Sequence, residues 1–346
     1  MLNSSLLKNK GLNYFFALFV ILIWGITFVS TKYLLRSFSA FEILIVRFIT
    51  AYTMLWLMKP ERIKLPRKKD ELWFFAAGAS GVSVYQFLEN IAIDYTLPAN
   101  VCIIVSICPM FTAIIAQIFL KEKNINLLFV VGFLLAISGI VFVTFNGALV
   151  FHLSPKGDFL ALAAAVCWAF YSLSVTKIAS FNLSPISSTR RQFFWALVCM
   201  IPIAVFGILN GKNSPMTYIN LSAAANAERW SDIFNWLNFG FLGIAASAFA
   251  FAVWNFVCKN LGTVRVTLFL YLTPVVTIIF AFLILGDKIT LMGSIGAVLT
   301  IAGLAISEVS KRKEKGRRNI PNEREFVISV KIEKKCSTNC LCSLEN

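Results

Sequence analysis

The sequence predicts an all-α integral membrane protein: ten transmembrane helices arranged as two inverted five-helix repeats, with the N- and C-termini cytoplasmic. Three observations predict it: an apolar composition divided into span-length stretches, a one-sided distribution of basic residues, and an internal repeat. Of the 346 residues, 58% are hydrophobic and only 14% are charged. Soluble domains carry about 25% charged residues, so the solvent implied here is lipid.

A helix needs about 20 apolar residues to cross the hydrocarbon core. Ten such stretches are legible, at 13–34, 40–59, 72–93, 97–120, 126–146, 157–178, 186–209, 234–258, 263–285 and 289–308. Breakers separate them: Pro60 and Pro66, Pro98, Asn146-Gly147, Ser154-Pro155, Ser184-Pro185 and the polar stretch 210–232. The first stretch follows Lys8 and Lys10 as a signal peptide would. It is too long for a signal core and lacks a small-residue cleavage site, so it is expected to persist as the first helix.

Basic residues set the sidedness. With the N-terminus in the cytoplasm, the cytoplasmic segments hold Lys8 and Lys10; Lys59, Arg62, Lys64, Arg67, Lys68 and Lys69; Lys121 and Lys123; Lys177; Lys259 and Arg265; and ten Lys or Arg beyond residue 310. The other face holds Lys32, Arg36, Lys156, Lys212, Arg229 and Lys288. The split is 23 to 6, and still 13 to 6 without the tail. The net charge of +15 is therefore a topology signal and a surface facing anionic lipid. No nucleic-acid partner is expected.

Sliding the chain on itself by 165 residues superposes Gly78 on Gly243, Asn90 on Asn255, Val101 on Val266, Pro109 on Pro274, Thr112 on Thr277, Ala116 on Ala281, Leu120 on Leu285 and Lys123 on Lys288. Glu122 falls on Asp287. The run from Trp24-Gly25 to Thr31-Lys32 likewise resembles that from Trp168-Ala169 to Thr176-Lys177, with one inserted residue. The domains read as 13–146 and 157–308, followed by a basic tail over 309–346 that is expected to be disordered. Five spans per half is an odd number, so the halves must enter the membrane from opposite sides. Inverted repeats of this kind are a transporter architecture, because two similar halves can exchange conformations around a central site.

Catalysis is not predicted. The only His, His152, falls in a loop, which leaves no imidazole for acid–base or metal chemistry. No paired carboxylates at helical spacing and no G-x-x-x-x-G-K-[ST] phosphate loop occur. Cys102, Cys108, Cys167, Cys199 and Cys258 sit in apolar runs, where a free thiol is a small hydrophobe. Cys336, Cys340 and Cys342 cluster in the tail with a spacing that fits no common zinc pattern. Cofactors and metals are expected to be none.

These residues resemble the drug/metabolite transporter superfamily, specifically its EamA-type branch, as two EamA-like units. The matching pieces are Trp24-Gly25 with Phe28, Arg47, and the run from Pro109 through Leu120-Lys121-Glu122 to Gly132 and Gly139. In the second half they are Trp168-Ala169, Trp254, Leu272-Thr273-Pro274-Val275, Leu285-Gly286-Asp287 and Gly303. Many members carry Gly-Glu where this chain has Gly286-Asp287. The resemblance implies a ten-helix secondary transporter of small metabolites, often amino acids or related compounds, around a central cavity. A nucleotide-sugar or sugar-phosphate exchanger of the same superfamily is the alternative. An intramembrane enzyme, from another class altogether, would leave the repeat unexplained. The expected setting is a bacterial cytoplasmic membrane, and the expected partners are the bilayer, a small-molecule substrate and a coupling proton. The oligomeric state is open.

Candidate cavity residues are Trp24, Lys32, Arg47, Glu89, Asn90, Trp168, Tyr171, Gln192, Trp254 and Asn255. Charges inside a span usually face protein or an aqueous cavity. Arg47 lies seven residues into its span, roughly 10 Å deep at about 1.5 Å per residue. It would contact a substrate carboxylate or phosphate, or else form a structural tie to Glu42, Glu89 or backbone carbonyls. Glu89 would take a substrate amine or relay a proton, or else pair with Arg47 or Lys32. Gln192 falls opposite Arg47 in the repeat, which makes the halves chemically unequal. Asn90 and Asn255 would hydrogen-bond across the centre, or simply pack helices. Trp24, Trp168, Trp254 and Tyr171 would stack on ligand, whereas Trp56, Trp73, Trp195 and Trp236 read as interfacial anchors. Arg190 and Arg191, near the start of helix seven, read as snorkelling cations. Pro109 and Pro274 are matched hinge candidates, expected to interrupt a helix in mid-span.

Overall fold

A computed structural model describes residues 9–61, 63–65, 67–96, 98–121, 125–145, 154–210, 219–220, 222–280 and 291–318. Among them every regular element is helical. In chain order these are α1 (Lys10–Leu34), α2 (Ala40–Met58), α3 (71–95), α4 (98–120), α5 (Leu127–Phe145), α6 (Pro155–Ala179), α7 (Pro185–Asn210), the short α8 (Ala223–Ser231), α9 (Ile233–Leu261), α10 (263–280) and α11 (Leu291–Arg318). Six stretches are long and apolar enough to cross a membrane, lying in α1, α2, α4, α6, α7 and α9; α5, α10 and α11 contribute shorter apolar stretches. The chain is a multi-pass membrane protein. Its lipid-facing character shows in largely exposed side chains such as Leu57, Leu127 and Leu209, which a soluble surface would not present so densely.

Local chemistry starts the helices where expected. The Ser39 hydroxyl accepts from the Glu42 backbone N–H at 3.1 Å while the Glu42 carboxylate accepts from the Ser39 N–H at 2.9 Å, a reciprocal capping box for α2. Ser39→Ala should lower stability by about 1 kcal/mol. A thermal melt of the purified variant checks this, and an unshifted midpoint would count against the cap. Pro155 and Pro185 open α6 and α7, where the missing N–H breaks no helical bond.

Two helices depart from α geometry in matched places. In α3, Glu71–Ala77 and Tyr85–Tyr95 flank a π-helical turn at Gly78–Val84. In α9, Ile233–Gly240 and Ala250–Leu261 flank a π-helical stretch at Phe241–Phe249. The 165-residue shift carries 78–84 onto 243–249. Such π turns free backbone carbonyls and cluster at functional sites. The fourth helix of each half is broken as well. α4 divides into Pro98–Val105 and Cys108–Leu120. α10 runs as Thr263–Thr267, a 3-10 segment at Leu268–Leu272, and Thr273–Phe280. Pro109 and Pro274 therefore do not kink a continuous helix, as their mid-span position suggested. Each sits in the first turn after the break, where it forfeits no hydrogen bond.

The fifth helices of the two halves, α5 and α11, pack backbone to backbone. A Cβ on Gly139 would lie 2.5 Å from Thr300 N and 2.6 Å from Gly296 O. One on Gly303 would lie 2.5 Å from Ala136 N and 2.6 Å from Gly132 O. Early residues of α5 thus meet late residues of α11, so the pair is antiparallel. The seam is a small-residue stripe of the kind that brings membrane helices close.

Two features depart from the sequence reading. The polar stretch 210–232 contains the helix α8, and α11 continues beyond Ser310 to Arg318. The residues after Ser310 are mostly Lys, Arg and Glu, good helix formers that extend an already nucleated helix. Leu285-Gly286-Asp287, Glu122, Lys123, His152 and the three tail cysteines lie outside the described residues.

Candidate functional site

A narrow cavity lies between the halves. From the first half it is lined by Trp24, Thr27 and Phe28 of α1, Arg47 of α2, Tyr85, Gln86 and Glu89 of α3, and Cys102, Val105 and Ser106 of α4. The second half supplies Trp168 of α6, Phe251 of α9, and Leu270 and Thr273 of α10. The helix irregularities converge here. Tyr85 and Gln86 directly follow the first π turn, and Ser106 and Thr273 stand at the two helix breaks.

Arg47 is buried, and its guanidinium spans both halves. Nε donates to Ser247 Oγ at 2.6 Å, and one terminal nitrogen donates to Gln86 Oε1 at 2.8 Å. Ser247 belongs to the π stretch of α9 and Gln86 to α3. The other terminal nitrogen makes no hydrogen bond among the described residues. The tie to Glu42 does not form. Glu42 instead pairs with Arg229 at 2.7 Å and caps α2.

Glu89 is buried and accepts the Tyr85 hydroxyl at 2.8 Å. The ion pairs among the described residues join neither Arg47 nor Lys32 to Glu89. Lys32 is exposed and donates to the Ile93 carbonyl at 3.1 Å. The cavity therefore holds one cation and one carboxylate that do not neutralise each other by direct contact.

Part of the remaining wall is aromatic. The Trp24 ring lies 5.5 Å from Trp168, 5.4 Å from Phe251 and 4.8 Å from Trp254, and Tyr85 lies 5.0 Å from Trp168. Edge-to-face and tilted contacts of this kind fix ring orientation. The Trp24 indole donates to the Ala246 carbonyl at 3.0 Å, an acceptor inside the second π stretch. The Trp168 indole N–H is buried without a hydrogen-bond partner. A lone buried donor on a cavity wall is a ready contact for a ligand oxygen.

Four of the ten candidate residues thus line this cavity: Trp24, Arg47, Glu89 and Trp168. Asn90 donates to the Ala40 carbonyl at 3.1 Å, a helix-packing contact. Tyr171 donates to Asn255 at 3.0 Å, and Asn255 donates to Thr189 at 2.8 Å and Gln192 at 3.4 Å. These residues form a separate buried polar cluster within the second half. Trp254 stands behind Trp24, fully buried. Thr27, Tyr85, Gln86, Ser106, Ser247 and Phe251 were missed. Helical spacing could have found several: Thr27 follows Trp24 by three, and Tyr85 precedes Glu89 by four. Ser247 carried no such signal, because its orientation depends on the π stretch.

Comparison with known proteins agrees with this architecture. The family model described as "EamA-like transporter family" matches residues 11–145 and 155–308. An "uncharacterized transporter" of Archaeoglobus fulgidus is 26% identical over 296 residues, covering 84% of this chain and 96% of its own. A "probable amino-acid metabolite efflux pump" of Escherichia coli K12 is 26% identical over 304 residues, covering 86% and 95%. A "probable terminal-alkyne amino-acid exporter" of Streptantibioticus cattleyicolor is 25% identical over 259 residues, covering 75% and 79%. A crystal structure shares the fold with a TM-score of 0.63 at 19% identity, covering 87% of this chain and 97% of that one. With two matched units spanning most of its length, the chain belongs to the EamA-like transporter family.

Proposed function

We propose that this transporter exports an amino acid or a related small molecule carrying both a carboxylate and an amine, by alternating access around the cavity between its halves. The observation that carries the reading is the pair of opposite charges, not in direct contact, in one cavity with aromatic walls, Arg47 for the carboxylate and Glu89 for the amine. The names of the E. coli and S. cattleyicolor relatives support the same class and direction. In this reading ten helices cross a cytoplasmic membrane as inverted repeats, and both termini are cytoplasmic. The antiparallel α5–α11 seam supports the inversion. Sidedness is supported by contacts that join only segments assigned to one face. Arg191 at the start of α7 pairs with Glu71 at the start of α3, and on the other face Arg229 pairs with Glu42. The helix breaks at Pro109 and Pro274 are the proposed hinges, since they border the cavity and already lack a continuous hydrogen-bond ladder. Glu89 is the group proposed to exchange a coupling proton.

Counterflow in proteoliposomes with labelled amino acids, nucleosides and sugar phosphates tests the reading. Saturable counterflow of an amino-acid class is expected; counterflow confined to sugar phosphates would overturn it. Glu89→Gln keeps an acceptor for Tyr85 but removes the charge. It should weaken amine-bearing substrates by about fivefold, the difference between a charged and a neutral hydrogen bond. Deaminated analogues should be indifferent to the change. An equal effect on both would remove Glu89 from amine recognition.

A further inference from the structure

A second recess, with about 820 Å³ of empty space, lies at one end of the helices, where the end of α2, the start of α3 and the start of α7 meet. Its lining combines a polar floor of Ser187, Arg190 and the Arg191–Glu71 ion pair with an apolar rim that includes Tyr52 and Phe194. Arg190 is buried, stacks over Trp56 at 4.3 Å, and donates to the backbone carbonyls of Lys59 and Glu61. No carboxylate pairs with it among the described residues: Glu71 is taken by Arg191, and Glu61 by Lys59 at 3.2 Å. Ser187 also lines the recess. It is only 3% exposed, and its hydroxyl has no hydrogen-bond partner. It lies in the first turn of the 26-residue α7, the positive end of that helix. A buried hydroxyl without a partner is costly, and an uncompensated guanidinium beside it calls for an anion.

The rim identifies the kind of anion. Tyr52 and Phe194 border the recess, Phe194 is 44% exposed, and Leu57 and Met58, which follow Trp56 in α2, are exposed as well. A free phosphate would use the floor and leave this apolar rim unmatched. A phospholipid would use both, with its headgroup phosphate on Ser187 and Arg190 and its acyl chain along Phe194. Lys64, Lys68 and Lys69, in the segment between α2 and α3, add positive charge at this end of the helices. We propose that this recess binds the headgroup phosphate of an anionic phospholipid. The proposal is independent of what the central cavity carries.

The test uses the full-length protein in uncharged detergent. Native mass spectrometry and thermal melts are recorded with short-chain phosphatidylglycerol, short-chain phosphatidylcholine and inorganic phosphate. Wild type should retain phosphatidylglycerol and be stabilised by it well above the other two. Ser187→Ala removes only the hydroxyl. It should weaken phosphatidylglycerol by about fivefold, while the lipid-free melt stays level or rises because an unpartnered buried hydroxyl is gone. Ser187→Asp places a carboxylate in the recess and should abolish the preference. Equal retention of phosphatidylcholine, equal stabilisation by inorganic phosphate, or a preference untouched by both substitutions would each overturn the proposal.

Discussion

Arg47→Lys is expected to reduce counterflow by about 10- to 100-fold in a protein that still purifies as a folded species. The range is that of losing one charge-assisted hydrogen bond, about 1.5–3 kcal/mol, at about 1.4 kcal/mol per decade. Lysine keeps the charge, so the substitution isolates geometry. The guanidinium uses Nε for Ser247 and a terminal nitrogen for Gln86, and the residue lines the cavity. An ammonium is a single point on a flexible stem and cannot hold two partners on different helices while facing a third. Ser247 belongs to the second half and Gln86 to the first, so the loss should appear in the rate of exchange as well as in affinity. Counterflow at saturating and sub-saturating substrate separates the two. Wild-type counterflow by Arg47→Lys would reduce Arg47 to a dispensable charge and remove the fork geometry from the mechanism.

Helix positions are legible in the amino-acid sequence, because hydropathy and turn residues respond to the same constraint that lipid imposes. Backbone polar groups must be satisfied within each span, so apolar length and breakers locate helices directly. What hydropathy could not register is the departure from α geometry inside a helix. Gly78–Val84 and Phe241–Phe249 look like ordinary apolar stretches rich in small residues, yet both wind as π turns. A π turn inserts an extra residue and rotates everything after it. Gln86 and Ser247 consequently reach Arg47, although spacing on an α-helix gives no reason to connect them. The prolines illustrate the opposite error. Their central position in an apolar run suggested a kink at the proline itself, whereas the interruption lies one or more residues earlier and each proline falls in the first turn of the next segment.

The candidate residues divide along physical lines too. Arg47 and Glu89 stood out because an ionised group deep in a span has few places to go. Tyr171, Gln192 and Asn255 were singled out for polarity alone. They hydrogen-bond to one another within the second half, as neutral polar groups in lipid commonly do, although the Gln192 side-chain nitrogen is left without a partner. Aromatic residues were harder to sort. Trp24 and Trp254 both sit at the centre of the protein, but only rotation about the helix axis decides that Trp24 faces the cavity and Trp254 backs it.

The largest stability effect is expected at the α5–α11 seam. Gly139→Ala should destabilise the protein by about 3 kcal/mol, near the upper end of what overpacking produces. The added Cβ would meet Thr300 N at 2.5 Å and Gly296 O at 2.6 Å, and backbone atoms cannot turn aside as a side chain can. The helices must separate, and contact is then lost along the whole stripe from Gly132 to Ser307. Gly240→Ala is the matched control, because nothing lies within 4 Å of a Cβ placed there. Glycine-to-alanine within a helix is otherwise favourable by roughly 0.5–1 kcal/mol, so the control should be neutral or slightly stabilising. Thermal melts of both variants in one detergent decide it, and equal midpoints would show that the seam yields freely. Transport kinetics add a second discrimination. Neither α5 nor α11 lines the central cavity among the described residues. Molecules of Gly139→Ala that remain folded should therefore keep the wild-type KM while the active fraction falls. A raised KM would instead show that the fifth helices shape the cavity through the pairs that do line it.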